Sequence, residues 1–253
     1  MWKTVKKLFN FIDGDIPYHA ASLSFFTIFS ILPLIALLVA VITYLPIFEI
    51  YSQPIKEFIF EFINPTHSEQ LANFLENFLA NTDQLGSIGM FYLLFVFIMF
   101  FRDYEYTINK IYETPPRATY KVFLFYLGFF IMVPILYFII SIMRNFIEFS
   151  YSQSIFLFLF GWVLFFILFF ISANKKLSFK AILISSFLTL LALSITKTIF
   201  GYYVSLNTTY ASIYGSFSII LFFFLWIYIS WNIYLYGTKL CSFLNKDFNL
   251  NEN

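Results

Sequence analysis

The sequence predicts an all-α, polytopic membrane protein: six transmembrane helices, both termini cytoplasmic, and two amphipathic helices in the outer loop between the first and second spans. Three observations carry that prediction. Apolar residues make up 60% of the 253-residue chain and aromatics 24%, against 11% charged residues, and the mean hydropathy is +0.81. Soluble domains carry roughly 25% charged residues, so this composition belongs to a chain in lipid. The few charges are gathered into clusters separated by gaps long enough to hold a membrane helix. Cations and acids are also divided unequally among the loops.

A crossing needs about 20 mostly apolar residues, so the gaps between charges draw the map. The first gap, Ile16 to Phe48, contains no Asp, Glu, Lys or Arg. The second lies between Asp83 and Arg102, the third between Lys121 and Arg144, and the fourth between Glu148 and Lys175. After Lys180 only Lys197 interrupts an apolar run reaching Lys239, which suits two spans joined at SLNTTYAS (205–212). The predicted spans are 17–45, 85–102, 122–143, 153–173, 179–200 and 213–238, in one membrane domain covering 1–253.

Orientation follows from the retention of Lys and Arg on the cytoplasmic side. With the N-terminus inside, only Lys56, Arg144 and Lys197 of the 15 cations fall outside, whereas the outer side holds Glu49, Glu57, Glu61, Glu69, Glu76, Asp83 and Glu148. The polar IDGD (12–15) and the length of the first apolar run argue against a cleavable leader. The lone Cys241, at the inner end of the last span, leaves no intramolecular disulfide to form.

The outer connection has its own periodicity. Over the segment 54–80, Ile55, Phe58, Ile59, Phe62 and Ile63 form one helical stripe, and Leu71, Phe74, Leu75, Phe78 and Leu79 form another after the break at NPTH (64–67). Lys56, Glu57, Glu61, Glu69, Asn73, Glu76 and Asn77 face away from them. Such helices rest on the leaflet or the spans, or cover a cavity mouth.

Within the first span Ala20, Ser24 and Thr27 share a face of small residues suited to close helix packing. Pro33 removes a donor and frees the Phe29 carbonyl, which predicts a bend with Ser30 near the freed group. This reads either as packing or as the wall of a cavity.

The pattern over Asp15–Leu34, D-x-I-x-x-x-A-A-x-L-S-F-F-T-x-x-S-x-x-P-L, resembles the first-helix signature of the YihY/BrkB family of bacterial inner-membrane proteins, once labelled "ribonuclease BN". INKIYETPPR (108–117) is similar to that family's stretch after the second span, and YASIYGSFSIILFFFLWIYIS (210–230) to its Tyr-Gly and Trp-hydrophobic-Tyr pattern. YLYGTKL (234–240) resembles its Leu-x-Gly-Ala-Glu-Leu ending, with Thr238 and Lys239 in place of Ala and Glu. The resemblance implies a six-span protein of the bacterial inner membrane.

The residues argue against the ribonuclease label. His19 and His67 are placed on opposite sides of the membrane, and the inner-loop groups Arg102, Lys110, Arg117, Lys121, Asp103, Glu105 and Glu113 read as a solvated loop that sets orientation. No P-loop or Gly-rich dinucleotide fingerprint occurs. No Asp or Glu falls within a predicted span, and His19 near the inner end of the first reads as an interfacial hydrogen-bonding group. The expectation is a non-enzyme with no cofactor, metal or nucleic-acid partner, in contact with membrane lipids.

Candidate contacts for a substrate are the small-polar face of the first helix (Ser24, Thr27, Ser30, Pro33), Asn232 on the last, Arg102 at the inner rim, and Arg144 and Lys197 at the outer rim. Cations on both faces suit an anionic head group passing between leaflets; they also suit snorkelling to the interface. Two function classes therefore stand: a transporter or flippase-like protein for a lipid or other amphiphile, and a non-transporting structural or assembly factor.

Overall fold

The computed structural model describes residues 15–44, 57, 69, 72–73, 76–77, 86–145, 152–207 and 217–250. They form six long helices: α1 (Ile16–Tyr44), α2 (Gly86–Tyr112), α3 (Thr119–Asn145), α4 (Ser152–Ser172), α5 (Phe179–Leu206) and α6 (Phe217–Leu250). Among the described residues, four stretches are long and apolar enough to cross a membrane: Thr119–Ile140, Ile155–Ser172, Phe179–Leu206 and Ile220–Phe248. α1, with 29 residues and no charged side chain, is roughly 43 Å long at 1.5 Å per residue.

Every helix presents large apolar side chains outward: Phe29 on α1, Phe91 on α2, Leu124 on α3, Phe170 on α4, Ile199 on α5 and Phe224 on α6 are all exposed. Apolar surface distributed this way matches a hydrocarbon surround rather than water. Inside, α6 packs against α5, α1 and α2, and α1 also packs against α2. The bundle interior is aromatic, with Phe97, Tyr112, Tyr126, Phe160, Phe169 and Trp226 fully buried.

Two small-residue contacts bring helices close. Ala20, Leu23, Ser24 and Ser30 of α1 are buried, and the Thr27 hydroxyl accepts a 2.8 Å hydrogen bond from Trp231 Nε1 of α6. Gly237 of α6 meets Thr189 of α5 so closely that a Cβ added at Gly237 would lie 1.9 Å from Thr189 Oγ1. Only glycine fits there.

Several helices outrun their predicted spans. α2 continues to Tyr112 rather than ending near 102, α5 continues to Leu206, and α6 continues to Leu250. A helix does not stop where hydrocarbon stops; it stops at a signal in the chain. For α2 that signal is a left-handed Glu113 (φ 58°), whose N–H reaches the Lys110 carbonyl at 3.2 Å while the Thr114 N–H reaches Asn109 at 2.9 Å. Pro115 and Pro116 then exclude further helix.

α1 continues through Pro33, whose side chain lies outside the described residues together with the expected bend's local packing. Ser30 does not serve the Phe29 carbonyl: its hydroxyl donates to Phe26 at 2.8 Å, because a helical hydroxyl reaches back three or four residues. In the outer segment, Glu57, Glu69, Asn73, Glu76 and Asn77 are helical and exposed, whereas the two apolar stripes lie outside the described residues.

Candidate functional site

Three ion pairs of the bundle gather at one end. Contacts there join the start of α1, the end of α2, the α2–α3 loop, the α4–α5 loop and the end of α6. Lys110 lies 3.4 Å from Asp15 and 3.1 Å from His19, Lys246 pairs with Glu113 at 3.0 Å, and the Ser178 N–H donates to Asn245 at 2.7 Å.

At the centre is Glu105, on the last turns of α2 and only 1% exposed. Tyr104, Glu105, Ile108, Asn109 and Tyr112 recur at i, i+1, i+4, i+5 and i+8, so one face of α2 carries all five inward. Arg117, beyond the Pro115–Pro116 turn, places Nη1 3.2 Å from both carboxylate oxygens of Glu105. Its Nη2 donates to the Ala173 carbonyl at 2.6 Å, and its guanidinium stacks 4.9 Å from the Phe125 ring. The Tyr126 hydroxyl of α3 donates to Glu105 Oε2 at 2.9 Å. The carboxylate is thus shared by α2, the following loop and α3.

Asn109, fully buried, uses its whole hydrogen-bonding capacity. Nδ2 donates to the carbonyls of Glu105 (2.9 Å) and Ser172 (3.3 Å), and Oδ1 accepts from the Asn174 N–H (2.8 Å) and the Thr114 hydroxyl (2.6 Å). This one side chain fastens the end of α2 to the end of α4. Tyr104 extends the network across the core, bonding Ser172 Oγ at 2.8 Å and the Tyr234 hydroxyl of α6. Aromatic rings enclose these hydroxyls: Phe101 stacks on Tyr126 at 4.4 Å, and Trp231 meets Tyr234 edge-on at 5.7 Å.

Beside this core, Lys175 donates to the Tyr112 carbonyl at 2.8 Å and sits 5.2 Å from its ring. Partial burial and the nearby Lys246 pull its amine below the usual lysine range, opposed by Glu113. Two buried hydroxyls, those of Tyr112 and Ser185, have no oxygen or nitrogen partner, and both adjoin the buried thiol of Cys241.

This geometry revises the solvated-loop reading of the residues after the second span. Arg102, Lys110, Glu113 and Lys121 are exposed, but Glu105 and Arg117 are withdrawn into the bundle: α2 continues as helix and turns Glu105 inward, and the loop beyond Pro116 brings Arg117 back onto it. An acid therefore lies inside the helical assembly, where the span boundary had excluded one. The signal in the sequence was the four-residue spacing of Tyr104, Ile108 and Tyr112 continuing past Arg102, with Glu105 and Asn109 in the adjacent column.

The residues singled out from the sequence lie elsewhere. Ser24, Thr27 and Ser30 each donate to a carbonyl of their own helix, those of Ala20, Leu23 and Phe26, and Asn232 Nδ2 does the same to Tyr228 at 2.8 Å. The structure brings Thr27 against Trp231, one residue from Asn232. Arg102 is exposed on α2, Lys197 is half-buried on α5, and the side chains of Pro33 and Arg144 lie outside the described residues. No group of three His, Cys, Asp or Glu side chains suited to a metal ion occurs among the described residues.

The profile of the family described as "Virulence factor BrkB" matches residues 8–253. A UPF0761 membrane protein of Haemophilus influenzae is 25% identical over 93% of this chain and 92% of its own length, and one of Aggregatibacter aphrophilus is 25% identical over 96% and 92%. A longer UPF0761 membrane protein of Chlorobium phaeobacteroides is 26% identical over 94% of this chain, which spans 58% of that relative. No solved structure matches.

Proposed function

The chain belongs to the virulence factor BrkB family of membrane proteins, and from that premise we propose that it moves an anionic lipid or similar amphiphile across the bacterial inner membrane. In this reading it is a six-span protein rather than an enzyme. Both termini and the polar end of the bundle face the cytoplasm, and the acidic amphipathic segment faces outside. The observation that carries the proposal is the burial of Glu105 against Arg117 at one end of a lipid-facing bundle.

Withdrawing two charges from water costs several kcal/mol per ion, and an apolar pair of similar volume is often as stable or more so. Ionisable groups kept in such a setting mark pathways and gates. Glu105 and Arg117 also tie α2 to α3 across a loop that reaches the surface, so separating them loosens the end of the bundle. An anionic head group competing with Glu105 for the guanidinium would do that. The small-polar face of α1 and Asn232 then offer hydroxyls and an amide along the route, with Arg102 at the inner rim and Arg144 and Lys197 at the outer.

A second reading, a non-transporting structural or assembly factor, draws on the filled aromatic interior around Trp226, Tyr126 and Phe97. Reconstitution separates the two. Translocation of head-group-labelled phosphatidylglycerol in proteoliposomes above the rate of protein-free vesicles supports transport. A folded, correctly inserted protein that leaves the rate unchanged supports the structural reading.

A further inference from the structure

We infer that the open concavity beside the α2–α3 loop is a binding site for the head group of an anionic phospholipid of the adjoining leaflet. It encloses about 780 Å³ and is lined by Pro116, Arg117, Ala118, Lys121, Leu124, Phe125 and Asn174. Its two charged residues are both cationic and no acid lines it. Arg117 is already compensated by Glu105, but Lys121 is exposed, and no ion pair of its amine is found among the described residues, where the Tyr120 ring lies 6.0 Å away. The charge left for a ligand is therefore positive.

The apolar half of the lining selects the kind of anion. Leu124 and Phe125 are 63% and 46% exposed, and the exposed stripe continues along α3 through Ile131, Ile135 and Ile139. Lys121 lies two residues into the Thr119–Ile140 stretch that is long and apolar enough to cross a membrane, at its loop-side end, where a snorkelling amine meets lipid phosphates. A phosphodiester at Lys121 would direct its acyl chains down that stripe. A free phosphate would use the cation and leave the stripe idle. Basic pockets at helix ends hold anionic lipids by this combination of charge and apolar contact, worth about 1 kcal/mol per cation near the surface.

The inference rests on the proposal that this end of the bundle meets a leaflet, but it does not require transport. It is tested by native mass spectrometry of delipidated protein in detergent, titrated with phosphatidylglycerol or phosphatidylcholine. Phosphatidylglycerol should bind in preference, Lys121→Gln should lower its occupancy about fivefold, and Leu124→Ser should lower it as well. Lys176→Gln, an exposed loop cation outside the concavity, should change nothing. Equal binding by the unmodified protein and Lys121→Gln, or loss of the lipid to millimolar inorganic phosphate, overturns the assignment. Because the readout is binding, a negative result here is distinguishable from a negative translocation assay.

Discussion

Glu105 and Arg117 meet twelve residues apart in sequence, with one guanidinium nitrogen 3.2 Å from both carboxylate oxygens and the acid sealed from solvent. Removing Arg117 strands a buried carboxylate, and removing Glu105 leaves a largely buried guanidinium with carbonyl partners alone to offset its charge. Glu105→Leu or Arg117→Met alone should therefore destabilise the folded protein by about 3–5 kcal/mol. The double variant should recover most of that loss, because no uncompensated charge remains. Thermal unfolding in detergent of the two single variants and the double variant measures the coupling; strictly additive losses would show that the two groups do not depend on each other.

Asn109 predicts a different failure. Its four hydrogen bonds serve backbone groups of α2, the end of α4 and the α4–α5 loop as well as Thr114, and a leucine of similar size removes all four and leaves the Asn174 N–H without this acceptor. At about 1–3 kcal/mol for each stranded group, Asn109→Leu should be among the most damaging single changes at this end of the bundle. Folded abundance in the membrane should fall well below that of Lys110→Gln, an exposed neighbour one position along. Equal abundance would mean that water replaces the amide without cost.

Gly237 sets the α5–α6 distance. Gly237→Ala drives a methyl into Thr189, an overpacking that should cost about 1–3 kcal/mol. Thr189→Ala removes the nearest atom of the clash, Oγ1, yet leaves the Cβ at 2.9 Å, so it should rescue only in part. Thermal unfolding of Gly237→Ala with and without Thr189→Ala reads both effects. A Gly237→Ala protein as stable as the parent would show that the helices separate freely.

Glu113 occupies a left-handed position that glycine fills at no steric cost, and its ion pair with Lys246 is exposed on both sides. Glu113→Gly should therefore leave stability unchanged or raise it slightly, because relieving a left-handed residue gains roughly 1–2 kcal/mol against the roughly 0.5–1 kcal/mol that glycine's backbone freedom costs. A lowered unfolding temperature would assign the Lys246 contact a structural weight that its exposure argues against.

These sites differ in how far the sequence exposed them. The helices were legible because charge gaps such as Ile16–Phe48 leave few alternatives, and the packing face of α1 was signalled by the small residues Ala20 and Ser24, both buried. The polar core was not. Arg102 and Asp103 end the apolar run of α2, and taking that point for the end of the helix sent Glu105 to a loop. The pairing of Glu105 with Arg117 runs across a Pro-Pro turn, where no helical period connects them. The hydroxyls of Ser24, Thr27 and Ser30 stood out in sequence, and each donates to a carbonyl of its own helix, a bond that a helical period alone predicts.

The central claim is that the buried pair serves movement of lipid rather than stability. It is tested most directly by the translocation rate of labelled phosphatidylglycerol in proteoliposomes containing the parent protein or the Glu105→Leu, Arg117→Met double variant, at matched folded content. The account predicts translocation by the parent and a rate at least about tenfold lower for the folded double variant, a change of about 1.4 kcal/mol in the barrier. A double variant that moves lipid as fast as the parent would contradict it.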